Sequence, residues 1–203
     1  MDVKRLRERW GPDQTTAVAA QFLAASRTRG QPDFESPFGT TEQGLLDLRG
    51  LTLHQSVRYA TVRGADFSGA VFAASTVSES ELERCRFDRC DLRGRFVGRR
   101  FTGCSFVGAR LQQARLGAVF TECDFTKANL SGSVASGVRF ERCDFTRARL
   151  GSIMWTQRCV FDQCVFDGLI SCSGSVAGSR FIGTRPDSLE RCITDHVRFI
   201  DIA

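Results

Sequence analysis

From Ala65 the chain advances in blocks of five residues: ADFSG, AVFAA, STVSE, SELER, CRFDR, CDLRG. The third position of each block is large and apolar: Phe67, Phe72, Val77, Leu82, Phe87 and Leu92. Two residues earlier stands a small one: Ala65, Ala70, Ser75, Ser80, Cys85 and Cys90. The register slips near 97–101 and between Leu116 and Phe120, then resumes in CSFVG, ARLQQ, CDFTK, ANLSG, CDFTR and ARLGS. A period of five matches neither the 3.6 of an amphipathic helix nor the 2 of a flat strand, so both are excluded. Of the 17 Phe, 12 fall on the central position, while the chain has one Tyr, Tyr59. The aromatic sites therefore require bulk without a hydroxyl to satisfy. No proline occurs from residue 38 to 185, where average usage would place about seven. Proline lacks the N–H of a hydrogen-bond ladder, so this stretch reads as continuous ladder.

A longer period lies inside the first. Cys–x–Phe blocks recur at Cys85/Phe87, Cys104/Phe106, Cys123/Phe125, Cys143/Phe145 and Cys164/Phe166, with cysteines 19, 19, 20 and 21 residues apart. Four blocks per return is the pattern of a solenoid with four faces per coil. In these blocks the chain resembles the pentapeptide-repeat family, whose consensus is A(D/N)Lxx. The resemblance spans roughly 46–185 and implies an all-β solenoid, a right-handed quadrilateral β-helix, with the central and small residues inward. The centres from Leu48 to Phe181 make about seven coils, a rod of roughly 30 Å at the usual strand spacing. Phe67, Phe87, Phe106, Phe125, Phe145 and Phe166 then form one core ladder. Cys85, Cys104, Cys123, Cys143 and Cys164 form the narrow column beside it.

Seven of the nine cysteines (those five with Cys90 and Cys159) occupy the small inward site and read as buried space-fillers. Their spacing offers no zinc cluster. Cys172 and Cys192 fall outside the pattern. With only His54 and His196, no paired carboxylates in a cleft, no phosphate loop and no nucleophile triad, the chain reads as non-catalytic, without metal or cofactor. Trp155 lies where the step between centres stretches to six. Either the chain bulges there, or Ile153 points in and Trp155 out. The irregular steps at 97–101, 116–120 and 155–161 share one place in the coil, near Phe96, Val134 and Met154. Phe96, Met154 and Trp155 are thus candidates for a contact surface, the alternative being local repacking. Phe96 is assigned to repacking and Trp155 to docking. Arg100, Arg139 and Arg180 recur at one position of the fourth face and complete the candidate set.

Residues 1–28 read as helical, with Trp10 packing the helix and Pro12 as a helix starter. Residues 29–45 read as loop. The 1–45 segment is expected to cap the coil, 46–185 to form it, and 186–203 to be a second cap or a dimerisation segment, since terminal coils expose unpaired edges. The N-terminus is charged and unlike a secretory signal, and no apolar run would span a bilayer. A cytoplasmic protein without membrane contact is expected.

For function, the main expectation is a protein-binding scaffold. The resemblance adds a named alternative, because its best-understood members protect type II topoisomerases such as gyrase by imitating DNA. Such imitation needs an acidic surface. Residues 46–185 instead hold 20 basic and 13 acidic side chains, net +7. Asp47, Asp66, Asp88, Asp124, Asp144 and Asp167 on the Cys/Phe face are matched by Arg49, Arg86, Arg89, Lys127 and Arg147. A third reading, nucleic-acid binding through the arginines, lacks surface aromatics, so only weak, non-specific association is expected.

Overall fold

Two inward positions per five residues make each block one side of a tube and hand the rest to the corner. The structure, a computed structural model, describes residues 2–28, 34–73, 77–186 and 189–202, and not the side chains of Thr28 and Phe96. It is a parallel β-solenoid of about seven turns preceded by two helices. Taking the Cys/Phe blocks as the first face, the inward centres of the fourth are Val62, Leu82, Phe101, Phe120, Phe140, Phe161, Phe181 and Phe199. They pair rung on rung in parallel register. The first two faces are joined by short parallel bridges such as Asp66–Arg86–Ser105–Asp124–Asp144–Val165.

The interior is two stacks of rings. Successive centroids of the expected ladder, Phe67 through Phe166, lie 5.1, 5.0, 4.8, 5.0 and 5.1 Å apart with planes within 9°. A second stack runs from Phe101 to Phe199 on the fourth face. Phe166 is only partly buried, because the next first-face centre, five residues past Phe181, is Pro186, which cannot continue the ladder. The seven inward cysteines are 0–4% exposed. Each thiol of the main column donates to the carbonyl of a fourth-face centre one coil earlier. Cys104 Sγ lies 3.4 Å from Leu82 O, Cys123 Sγ 3.5 Å from Phe101 O and Cys143 Sγ 3.3 Å from Phe120 O. A small residue is needed beside each ring, and a thiol there also satisfies its own weak donor.

The N-terminal end is covered. Helix α1 (Val3–Glu8) and helix α2 (Pro12–Thr28) precede the coil. Val18, Ala19, Phe22 and Ala25 of α2 are buried, and the Phe22 ring lies 6.1 Å from Phe67. Trp10 bridges the helices to the coil rather than packing within one. It meets Phe38 edge-on at 4.9 Å and donates Nε1–H to Arg49 O at 2.8 Å. Arg9 and Arg49 both grip the buried carboxylate of Asp47. Burial alone would raise that carboxyl's pKa, but the hydrogen bonds from Arg49 and Arg9 hold it far below the usual range. At Gly50, with φ of 75°, a Cβ would sit 2.4 Å from the Leu6 carbonyl, so α1 can approach only glycine.

Among the described residues, nothing covers the C-terminal end of the coil. Residues beyond Pro186 continue the stack: Arg198–Ile200 pairs with Arg180–Ile182, and Phe199 stacks on Phe181 at 5.4 Å. No described rung follows, leaving Phe199, Ile200 and Ile202 about 40–50% exposed.

Candidate contact surface

Between Phe67 and Phe166 only the corner between the third and fourth faces varies in length, and it accounts for the uneven cysteine spacing. Third-face inward centres are Val57, Val77, Val97, Leu116, Ala135 and Trp155, in direct register. The step from each to its fourth-face centre is four residues at Val97–Phe101 and Leu116–Phe120, five at Ala135–Phe140 and six at Trp155–Phe161. Four is even, so an extended strand keeps both ends inward. Arg115–Thr121 accordingly runs straight through the corner, alternating exposed and buried with Ala118 inside. The six-residue step instead turns through Gln157 and Arg158, at φ of 55° and 72°, and pushes Arg158 outward.

This geometry corrects the reading of Trp155. Both Ile153 and Trp155 are 1% exposed, and Met154 between them is 57% exposed. The indole fits because its partner one coil earlier is Ala135, which leaves the volume an inward Val or Leu would take. Its Nε1–H donates to the fully buried Ser133 hydroxyl at 2.9 Å, and its ring lies 5.4 Å from Phe140 and 5.7 Å from Phe161. Trp155 is therefore core and cannot dock a partner. The side chain of Phe96 lies outside the described residues; its backbone pairs with Arg115.

Met154 does face solvent, within an outward column that reads Arg115, Val134, Met154, Ser175, Ile193 up the rungs. Val134, Met154 and Ile193 are 41%, 57% and 57% exposed. Across the corner, Arg100, Val119, Arg139, Val160, Arg180 and Arg198 form one column. The three arginines expected there do share it, but not equally. Arg139 is engaged by Glu141 and by Asp162 at 3.3 Å. Among the described residues, Arg100 and Arg180 meet no carboxylate. Arg158, Arg180, His196 and Arg198 line an open cleft of about 640 Å³ at the upper end of this corner. Arg158 and Arg198 were not anticipated; the six-residue step and the 18-residue interval from Arg180 to Arg198 were the signals that could have found them.

The acidic side chains behave differently. Asp66, Asp124 and Asp144 each accept from the backbone N–H two residues on, at 2.8, 2.8 and 2.7 Å. Asp88 takes hydrogen bonds from Arg86, Ser105 and the Val107 N–H. These carboxylates serve the coil's own turns. Among the described residues no three His, Cys, Asp or Glu converge as metal ligands. No described helix is long and apolar enough to cross a membrane.

A sealed interior walled by stacked five-residue blocks defines a repeat-built scaffold. The chain carries pentapeptide repeats: the family model described as Pentapeptide repeats matches eight copies over residues 58–94 and 117–151. No curated protein matches it. Among solved structures, a trypsin-treated form of QnrB1, described as a plasmid-mediated fluoroquinolone resistance protein, is 13% identical. That alignment covers 76% of this chain and 77% of that one, with a TM-score of 0.43. HetL, described as a pentapeptide repeat protein involved in heterocyst differentiation regulation from the cyanobacterium Nostoc, is 12% identical, covering 86% and 90% with a TM-score of 0.26. Overlaps this loose carry no argument about role.

Proposed function

We propose that the chain is a non-catalytic docking scaffold that binds an acidic protein surface through the corner between its third and fourth faces. The observation that carries this reading is the pairing there of an exposed apolar column with uncompensated arginines. On other parts of the coil Arg86, Arg93 and Arg142 have carboxylate partners at 2.7–2.9 Å. Apolar contacts in the middle and charges around them form the usual anatomy of a recognition patch. Nine free thiols suit a reducing compartment, so the proposed setting is the cytoplasm.

The test is affinity capture from cytoplasmic extract of the source cell, comparing the wild type with Met154→Glu and Arg180→Glu. The expected result is a captured protein lost from both variants at unchanged melting temperature; identical capture by all three overturns the reading. A narrower version, suggested by the family resemblance, takes the partner to be a type II topoisomerase. The net +7 of the coil and the turn-bound aspartates weigh against imitation of DNA. Restored supercoiling by a purified topoisomerase poisoned with a fluoroquinolone would establish that version. Duplex DNA itself is expected to bind weakly and to be released by physiological salt; a salt-resistant complex would move the proposal to nucleic acid.

A further inference from the structure

The two cysteines outside the repeat pattern meet in space. Cys172 stands in register with Leu150, at a second-face centre. A thiol in place of leucine leaves a narrow apolar gap at the end of the core, lined by Leu150, Ile153, Cys172, Val176, Pro186 and Leu189. Cys192 comes from the next coil, whose Cys192–Ile193 strand pairs with Gly174–Ser175. The two sulfurs are 3.3 Å apart. A disulfide needs about 2.05 Å, a closure within reach of side-chain rotation. Access separates this pair from the others: Cys192 is partly exposed and Cys172 8% exposed, whereas the remaining seven are 0–4% exposed.

We propose that Cys172 and Cys192 form a reversible redox pair that a hydroperoxide closes into a disulfide, fastening the last coil to the one before it. The Cys192 thiolate attacks the terminal peroxide oxygen, the O–O bond breaks, and the alcohol departs with a proton, leaving a sulfenic acid. The Cys172 sulfur then attacks that sulfenic sulfur; the S–S bond forms, the S–O bond breaks, and water departs with the Cys172 proton. In sum, two thiols lose two hydrogens while one peroxide is reduced to alcohol and water. Burial and the neighbouring Cys192 push the Cys172 thiol up to about 12, which suits it to the second, resolving role rather than to the first attack. Transient disulfides of this kind are the form in which cytosolic proteins use them.

The experiment treats the full reduced chain with hydrogen peroxide and follows intact mass, peptide mapping and thermal unfolding. The expected product has lost two hydrogens, carries one crosslink joining Cys172 to Cys192, melts higher than the reduced form, and reverts with dithiothreitol. Cys192→Ser is expected to fold as the wild type, by circular dichroism, and to form no crosslink; Cys172→Ala is expected to stop at the Cys192 sulfenic acid. Four outcomes overturn the proposal: no crosslink, over-oxidation of Cys192 in the wild type, an intermolecular disulfide through Cys192, or a crosslink involving any other cysteine.

Discussion

Replacing Trp155 by alanine, beside a parallel replacement of Met154, tests how this coil accommodates a residue too large for its neighbours' slots. Truncating a buried tryptophan generally costs about 3–5 kcal/mol. The upper part of that range applies here, because parallel ladders on the rungs above and below pin the backbone and Ala135 brings no side chain to fill the space. Ser133, fully buried, also loses its donor, a further cost on the order of 1 kcal/mol. At this chain length 1 kcal/mol is worth about 2–4 °C, so a loss of about 5 kcal/mol lowers the melting temperature by roughly 10–20 °C. Met154, adjacent in sequence but 57% exposed, should move it by less than about 2 °C on alanine substitution, as exposed substitutions rarely exceed ~0.5 kcal/mol. Scanning calorimetry with far-ultraviolet circular dichroism decides between them. A Trp155→Ala variant melting within about 2 °C of the wild type would refute the inward placement and the size compensation with Ala135.

Phe125→Ala, in the middle of the first ring stack with neighbours at 4.8 and 5.0 Å, should cost ~3–5 kcal/mol, measured by thermal unfolding. Gly50→Ala should loosen α1 by steric overlap with Leu6, seen as a red shift of Trp10 emission in a Trp155→Phe background; unchanged emission contradicts the close approach. Asp47 has a depressed folded pKa, so its stabilisation is complete above the unfolded value near ~4 and declines as pH falls through the folded one. The wild type should therefore lose melting temperature more steeply than Asp47→Asn below about pH 5, while being the more stable of the two at neutral pH. In a native thiol titration, no more than Cys172 and Cys192 should react quickly, with the other seven appearing only on denaturation; five or more fast thiols would contradict the sealed column.

Much of this molecule is legible in its residues one block at a time. A tube of fixed bore admits one large and one small side chain per face, so Phe87, Cys104 or Leu130 declares its direction from local pattern alone. The intervals of 19, 19, 20 and 21 between cysteines likewise record corners of four, four, five and six residues. Position 155 resisted this reading because its fit depends on Ala135, twenty residues earlier and one coil away, and local pattern does not price a compensation between rungs. The same holds for charge. Arg139 and Arg180 share a column, yet Arg139 meets Glu141 two residues on in its own strand, where Arg180 has Ile182, and it reaches Asp162 on the adjoining rung, a contact that no single block shows. Cys172 and Cys192 look unrelated along the chain and touch only because the coil beyond Pro186 continues to stack. Inward identity is imposed by the bore of the tube and is written in each block; contacts between coils are set by the accumulated lengths of the corners, and only the folded stack adds those up.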